Sequence, residues 1–147
     1  MQRISIKSIE PDAYKVMLGM EEYISNSALP PLLREMIKIR ASQLNGCAYC
    51  LDMHTQEALK IGEDKRRIFA LSAWKDSPLF TDEEKSVLQL TEEVTLISKD
   101  GLTDETYNTV LKYYSKTELA QMIMQVIIIN SWNRIAVSTR QVFDQIL

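Results

Sequence analysis

Residues 35–54 read Glu35-Met36-Ile37-Lys38-Ile39-Arg40-Ala41-Ser42-Gln43-Leu44-Asn45-Gly46-Cys47-Ala48-Tyr49-Cys50-Leu51-Asp52-Met53-His54. Leu32, Met36, Ile39 and Gln43 recur at three- and four-residue spacing, which predicts one face of a helix from Pro31 to about Leu44. Asn45-Gly46 ends it, because both residue types tolerate the left-handed conformation found after helices. A further helix begins around Cys47 and stops at Gly62.

The flanking sequence continues in the same style. On the N-terminal side a short extended segment leads to Pro11 at a first helical position, and a helix runs to about Ser25 with Met17, Leu18, Met20 and Ile24 as its apolar stripe. Ala28-Leu29-Pro30-Pro31 breaks it, since each proline disfavours helical geometry in the residue before it. Beyond Gly62, a fourth helix is expected over Asp64 to Lys75, closed by Ser77-Pro78. Thr81-Asp82-Glu83-Glu84 is a capping-box pattern opening a fifth helix to about Ser98, and Thr103 caps a sixth that ends near Tyr114. Ser115-Lys116-Thr117-Glu118 is a second capping box, opening a long helix that continues to near the C-terminus. The reading is an all-α fold, a bundle of about seven helices with a long C-terminal helix, in one domain over residues 1–147.

Composition agrees with a folded domain: 46% hydrophobic and 25% charged residues, with four glycines and four prolines, give no support for disorder or for many short strands. A formal charge of −3 argues against nucleic acid, whose phosphates require a basic surface. The one basic run, Lys65-Arg66-Arg67, follows Glu63-Asp64 and reads as a solvated helix face. No apolar h-region follows the N-terminal charge, and the apolar run around Met122 to Ile129 is far shorter than the roughly 20 residues of a membrane span. A cytoplasmic location without membrane association is therefore expected, where two cysteines are more naturally reactive than structurally bridged.

Cys47, Cys50 and His54 project from one face of their helix, because each residue advances about 100°. Both sulfurs lie near the helix N-terminus, where free N–H groups favour a thiolate. A thiolate attacks peroxides or disulfides, and a second thiol three residues away can condense with the resulting sulfenic acid. His54 can exchange a proton near neutral pH. Blander readings stand beside this one. A Cys-x-x-Cys can be half of a zinc site, but such sites want four ligands and no second cluster follows. The cysteines can also be inert core residues, and a lone helical histidine is often structural. Glu35 lies at the margin of its helix's apolar arc, so it either turns toward the thiols, with a pKa raised by burial, or faces solvent.

The stretch Arg40 to Thr55 resembles the AhpD-like core of the carboxymuconolactone decarboxylase superfamily. The likeness extends to Gly62-Glu63, to Ala73-Trp74 before Ser77-Pro78-Leu79-Phe80-Thr81, and to Asn130-Ser131-Trp132-Asn133-Arg134. The resemblance implies a thiol-dependent peroxidase on an all-α fold that forms homo-oligomers, with no cofactor and no metal. Its implied partners are a peroxide substrate and a dithiol electron donor. It makes Cys50 the peroxidatic cysteine, Cys47 the resolving one, and Glu35 and His54 a proton relay. Tyr49 departs from the pattern: the best-known peroxidases of the family carry a histidine there, which leaves room for slower turnover or for a redox-responsive binding or sensor module. The lactone decarboxylase branch generally lacks the cysteine pair, which argues against decarboxylation. Asn130, Trp132 and Asn133 are read as packing residues at a helix crossing.

Overall fold

A computed structural model describes residues 1–142. Among them the chain is helical throughout, with α1 (Ile6–Ile9), α2 (Pro11–Ser25), α3 (Pro31–Asn45), α4 (Ala48–Lys60), α5 (Lys65–Ala70), α6 (Asp82–Thr95), α7 (Asp104–Val110) and α8 (Lys116–Thr139). The expected starts hold to within a residue, because each is written in local chemistry. Pro11 and Pro31 open α2 and α3. Asp64, Thr81, Thr103 and Ser115 each accept a backbone N–H with the side chain, and the boxes Thr81/Glu84 and Ser115/Glu118 are reciprocal.

The departures lie elsewhere. The N-terminus is not wholly extended: Ser5 Oγ accepts the Ser8 N–H and caps the four-residue α1. The fourth helix does not run on to Lys75 but tightens into a 3-10 turn at Leu71–Ala73. In such a turn residues three apart eclipse. Leu71 and Trp74 are both buried there, and Trp74 Nε1–H reaches Glu92 Oε1 on α6 at 2.6 Å. The fifth and sixth helices end earlier than expected, at Thr95 and Val110, and the long helix stops at Thr139 with Arg140 in the left-handed region. Any continuation of it past residue 142 lies outside the described residues. The stripe expected on α2 is only partly buried: Ile24 is fully enclosed, whereas Leu18 is 49% exposed.

α8 is the central element. It packs on α2, α3, α4 and α6, so its apolar run is largely core: Met122, Val126, Ile128 and Ile129 are buried, while Ile127 faces outward. Its polar residues tie the neighbours together. Asn45 Nδ2 on α3 donates to Asn130 Oδ1 (3.0 Å) and Asn133 Oδ1 (2.9 Å). Asn133 Nδ2 donates to Ser42 Oγ at 3.0 Å, and Asn130 Nδ2 to Thr95 Oγ1 of α6 at 3.0 Å. A second knot joins α3 to α6, where Arg40 donates to Glu92. Burial raises the Glu92 carboxyl pKa, but the Trp74 and Arg40 hydrogen bonds outweigh it and hold it below the ordinary value.

Asn133→Ala should strand the buried Ser42 hydroxyl and remove one Asn45 acceptor, lowering unfolding free energy by about 1–3 kcal/mol in urea titrations. Lys60→Ala, which breaks only the exposed pair with Glu57, should change it by less than about 0.5 kcal/mol. Equal effects of the two would contradict the role given to the asparagine network.

Candidate redox site

The site begins with a chain reversal. Gly46 adopts φ 63° at the end of α3, and the Cys47 N–H donates to Ser42 O at 3.0 Å. Glycine meets that backbone geometry without a Cβ penalty. Cys47 thereby becomes the N-cap of α4, and its Sγ accepts the Cys50 N–H at 3.3 Å. Cys47 and Cys50 are joined as a disulfide, packed with Tyr49 against Ala136 of α8.

Because α3 and α4 run back from a shared turn, Glu35 meets His54. Glu35 Oε2 lies 2.9 Å from His54 Nδ1, and Lys38 Nζ donates to Oε1 at 2.9 Å. Glu35 and His54 are both buried, at 7% and 8% exposure. The carboxylate therefore turns inward, which spacing alone left undecided. Its titration differs from the expectation. Burial does push the Glu35 pKa up, but the His54 hydrogen bond and the Lys38 charge outweigh it, and the net shift is downward. An ionised carboxylate can only accept, so the Nδ1 facing it carries the proton and Nε2 is left as the free ring nitrogen.

Cys50 and His54 share a cavity of about 240 Å³ with Tyr49 and Met53 of α4, Tyr14, Leu18 and Glu21 of α2, Trp132 and Ala136 of α8, and Gln141. Cys47 and Glu35 stand behind this wall, outside the lining. Of the four residues singled out in the sequence, two thus border the open space and two support them from behind. The sequence marks Leu18 only as part of an apolar stripe and Trp132 only as a packing residue, and it does not single out Tyr14 or Glu21. Their signal was the spacing Tyr14, Leu18, Glu21, four and three apart on one helical face. Asn130 and Asn133 do bridge helices, as expected, but Trp132 between them lines the cavity. A larger groove of about 610 Å³ between α6 and α7 holds neither cysteine nor histidine. Among the described residues no group of three or more His, Cys, Asp or Glu is placed to hold a metal ion. None of their helices is long and apolar enough to cross a membrane.

Comparison with known proteins follows the same lines. The profile of the carboxymuconolactone decarboxylase family matches residues 11–93. The uncharacterized protein YdfG of Bacillus subtilis (strain 168) is 42% identical over 137 residues, covering 93% of each chain. A crystal structure of a protein of unknown function from Agrobacterium tumefaciens, linked by name to the antioxidant defence protein AhpD, superposes with a TM-score of 0.96 at 34% identity, over 99% of both chains. The debrominase Bmp8 shares the fold, with a TM-score of 0.81 at 19% identity, over 91% of this chain and 72% of that one. On its sequence match and its superposition, the chain belongs to the carboxymuconolactone decarboxylase family, as an AhpD-like member.

Proposed function

We propose that the protein is an enzyme, a thiol-dependent peroxidase that reduces hydroperoxides through Cys50 and Cys47. The observation that carries this reading is the pairing of a closed Cys47–Cys50 disulfide with a cavity bordered by Cys50 and by a histidine whose other nitrogen is held by a carboxylate. In the reduced protein, Cys50 loses its proton to His54 Nε2, and Glu35 steadies the imidazolium that forms. The thiolate attacks the terminal peroxide oxygen, the O–O bond breaks, and the alkoxide takes the proton back as an alcohol. Cys50 becomes a sulfenic acid, oxidised by two electrons. The Cys47 thiol then attacks that sulfur, water leaves, and the disulfide closes. A dithiol donor reopens it, ending as a disulfide itself.

The N-cap position of Cys47 supports this division of labour. The donor reaches the sulfur that borders the cavity, Cys50, and the departing Cys47 thiolate is stabilised by the Cys50 N–H and the free N–H groups of the first turn. Glu35, with its lowered pKa, orients His54 through Nδ1 rather than acting as the base. We further propose a homo-oligomer, supported by exposed Ile97 and Ile127; sedimentation should show a species larger than one chain, and a single-chain species alone would refute it.

Cys50→Ser should abolish peroxide turnover with a dithiol donor, whereas Cys47→Ser should consume about one equivalent and stop at a sulfenic acid that dimedone traps. Full turnover by Cys50→Ser sinks the assignment, and a single slow oxidation of wild type without turnover favours the sensor reading. Glu35→Gln should lower kcat/KM by about 10–100-fold near neutral pH, with partial recovery as the pH rises and solvent deprotonates the thiol. Its stability follows linkage. A folded pKa below the unfolded one stabilises the protein above the ordinary glutamate value, about 4.3, and that contribution is lost as pH falls through the folded pKa. The stability gap between wild type and Glu35→Gln should therefore shrink on acidification from about pH 6 to about pH 3; a gap that widens would contradict the ionised carboxylate.

A further inference from the structure

The cavity beside Cys50 is walled mainly by apolar and aromatic groups: Tyr14 and Leu18, Met53, and Trp132 with Ala136. The Tyr14 and Trp132 rings meet nearly edge-on, with centroids 5.3 Å apart. Its volume of about 240 Å³ is more than ten times the ~10–15 Å³ that one water-sized molecule requires, so hydrogen peroxide would occupy little of it. It lies just under the ~300–1,000 Å³ usual for drug-sized ligands. The space suits a small organic molecule with an apolar body.

Glu21 is set into this wall. Trp132 Nε1–H donates to Glu21 Oε1 at 2.8 Å, which ties α2 to α8 across the site, and no other hydrogen bond to Glu21 is found among the described residues. No lysine or arginine stands among the described residues of the lining. Lys7 approaches the Tyr14 ring, with Nζ 5.9 Å from its centroid, without entering the wall. The way to Cys50 thus combines low-dielectric aromatic surface with a carboxylate that has no cationic partner among the described residues. A second anion brought there meets a like charge that water screens poorly.

We propose that Glu21 is a specificity-determining residue, whose carboxylate admits small uncharged organic hydroperoxides to Cys50 and turns away those bearing a carboxylate. The identity of the substrate rests on the peroxidase reading; the charge rule rests on the cavity alone. Glu21 takes no part in bond making. The thiolate attack and proton return are the same for both substrate types, so the discrimination lies in access and appears in KM and in kcat/KM rather than in kcat.

The charge rule is testable without peroxide. Reduced protein is alkylated with neutral iodoacetamide and with anionic iodoacetate, each losing iodide to the thiolate, and modification of Cys50 is followed by mass spectrometry. Relative to a cysteine peptide, wild type should favour iodoacetamide by at least about fivefold, and about 0.5 M salt should compress that preference. Glu21→Gln keeps an oxygen to accept the Trp132 N–H, and should bring the ratio to within about twofold of the peptide. A wild-type ratio equal to the peptide's overturns the proposal whether or not the variant folds, as does a ratio unchanged in a folded Glu21→Gln. In parallel, tert-butyl hydroperoxide and a carboxylated hydroperoxide of similar size are offered with a dithiol donor. Turnover of the neutral one alone supports both readings, and equal kcat/KM for the two overturns the charge rule. Turnover of neither, with the alkylation preference intact, upholds the charge rule and overturns the peroxidase reading.

Discussion

A left-handed glycine and one backbone hydrogen bond, from the Cys47 N–H to Ser42 O, turn the chain between α3 and α4, and the chemistry of the site depends on that reversal. It fixes Cys47 as an N-cap, with Sγ against the Cys50 N–H, and so brings both sulfurs to the end of a helix where partial positive charge accumulates. The same reversal lays α4 back along α3, which carries Glu35 to His54 although they lie 19 residues apart. A Cβ at position 46 would meet no neighbouring atom, so the demand for glycine there comes from the backbone angle alone.

Around this turn the protein arranges charge in depth. Lys38, Glu35 and His54 form a chain of largely buried side chains, from the ammonium on α3 to the imidazole at the cavity wall. A buried ion pair is a poor source of stability, because desolvation offsets much of the attraction. In the proposed cycle such a chain holds one ring nitrogen protonated and leaves the other to the Cys50 thiol. Burial alone would make Glu35 a stronger base; His54 and Lys38 outweigh burial and make it a weaker one.

α8 divides its labour residue by residue. Asn130 and Asn133 face α3 and α6 and close the polar network, Ala136 is small enough to seat the disulfide, and Trp132 turns to the cavity and Glu21. The fold shared with a debrominase indicates that such a scaffold is not tied to one reaction. On this scaffold α2, joined to α8 through Tyr14, Trp132 and Glu21, supplies much of the outer wall.

The sequence by itself determined the all-helical class, the helix starts and the cysteine spacing, because prolines, capping boxes and a terminal glycine act within four residues of one another. It also carried the family likeness, which rests on motifs from Arg40 to Arg134. Tertiary structure decided the rest. Helix ends lie where residues meet other elements, as at Trp74, which follows a 3-10 turn and reaches Glu92 on α6. The sign of the Glu35 shift depended on His54, a residue on another helix. The cavity wall was hidden for the same reason: Tyr14, Leu18 and Glu21 share a face in the sequence, but only the packing of α2 against α8 turns that face toward Cys50. Local hydrogen bonds are legible one segment at a time, whereas burial and electrostatic environment are properties of what two segments enclose between them.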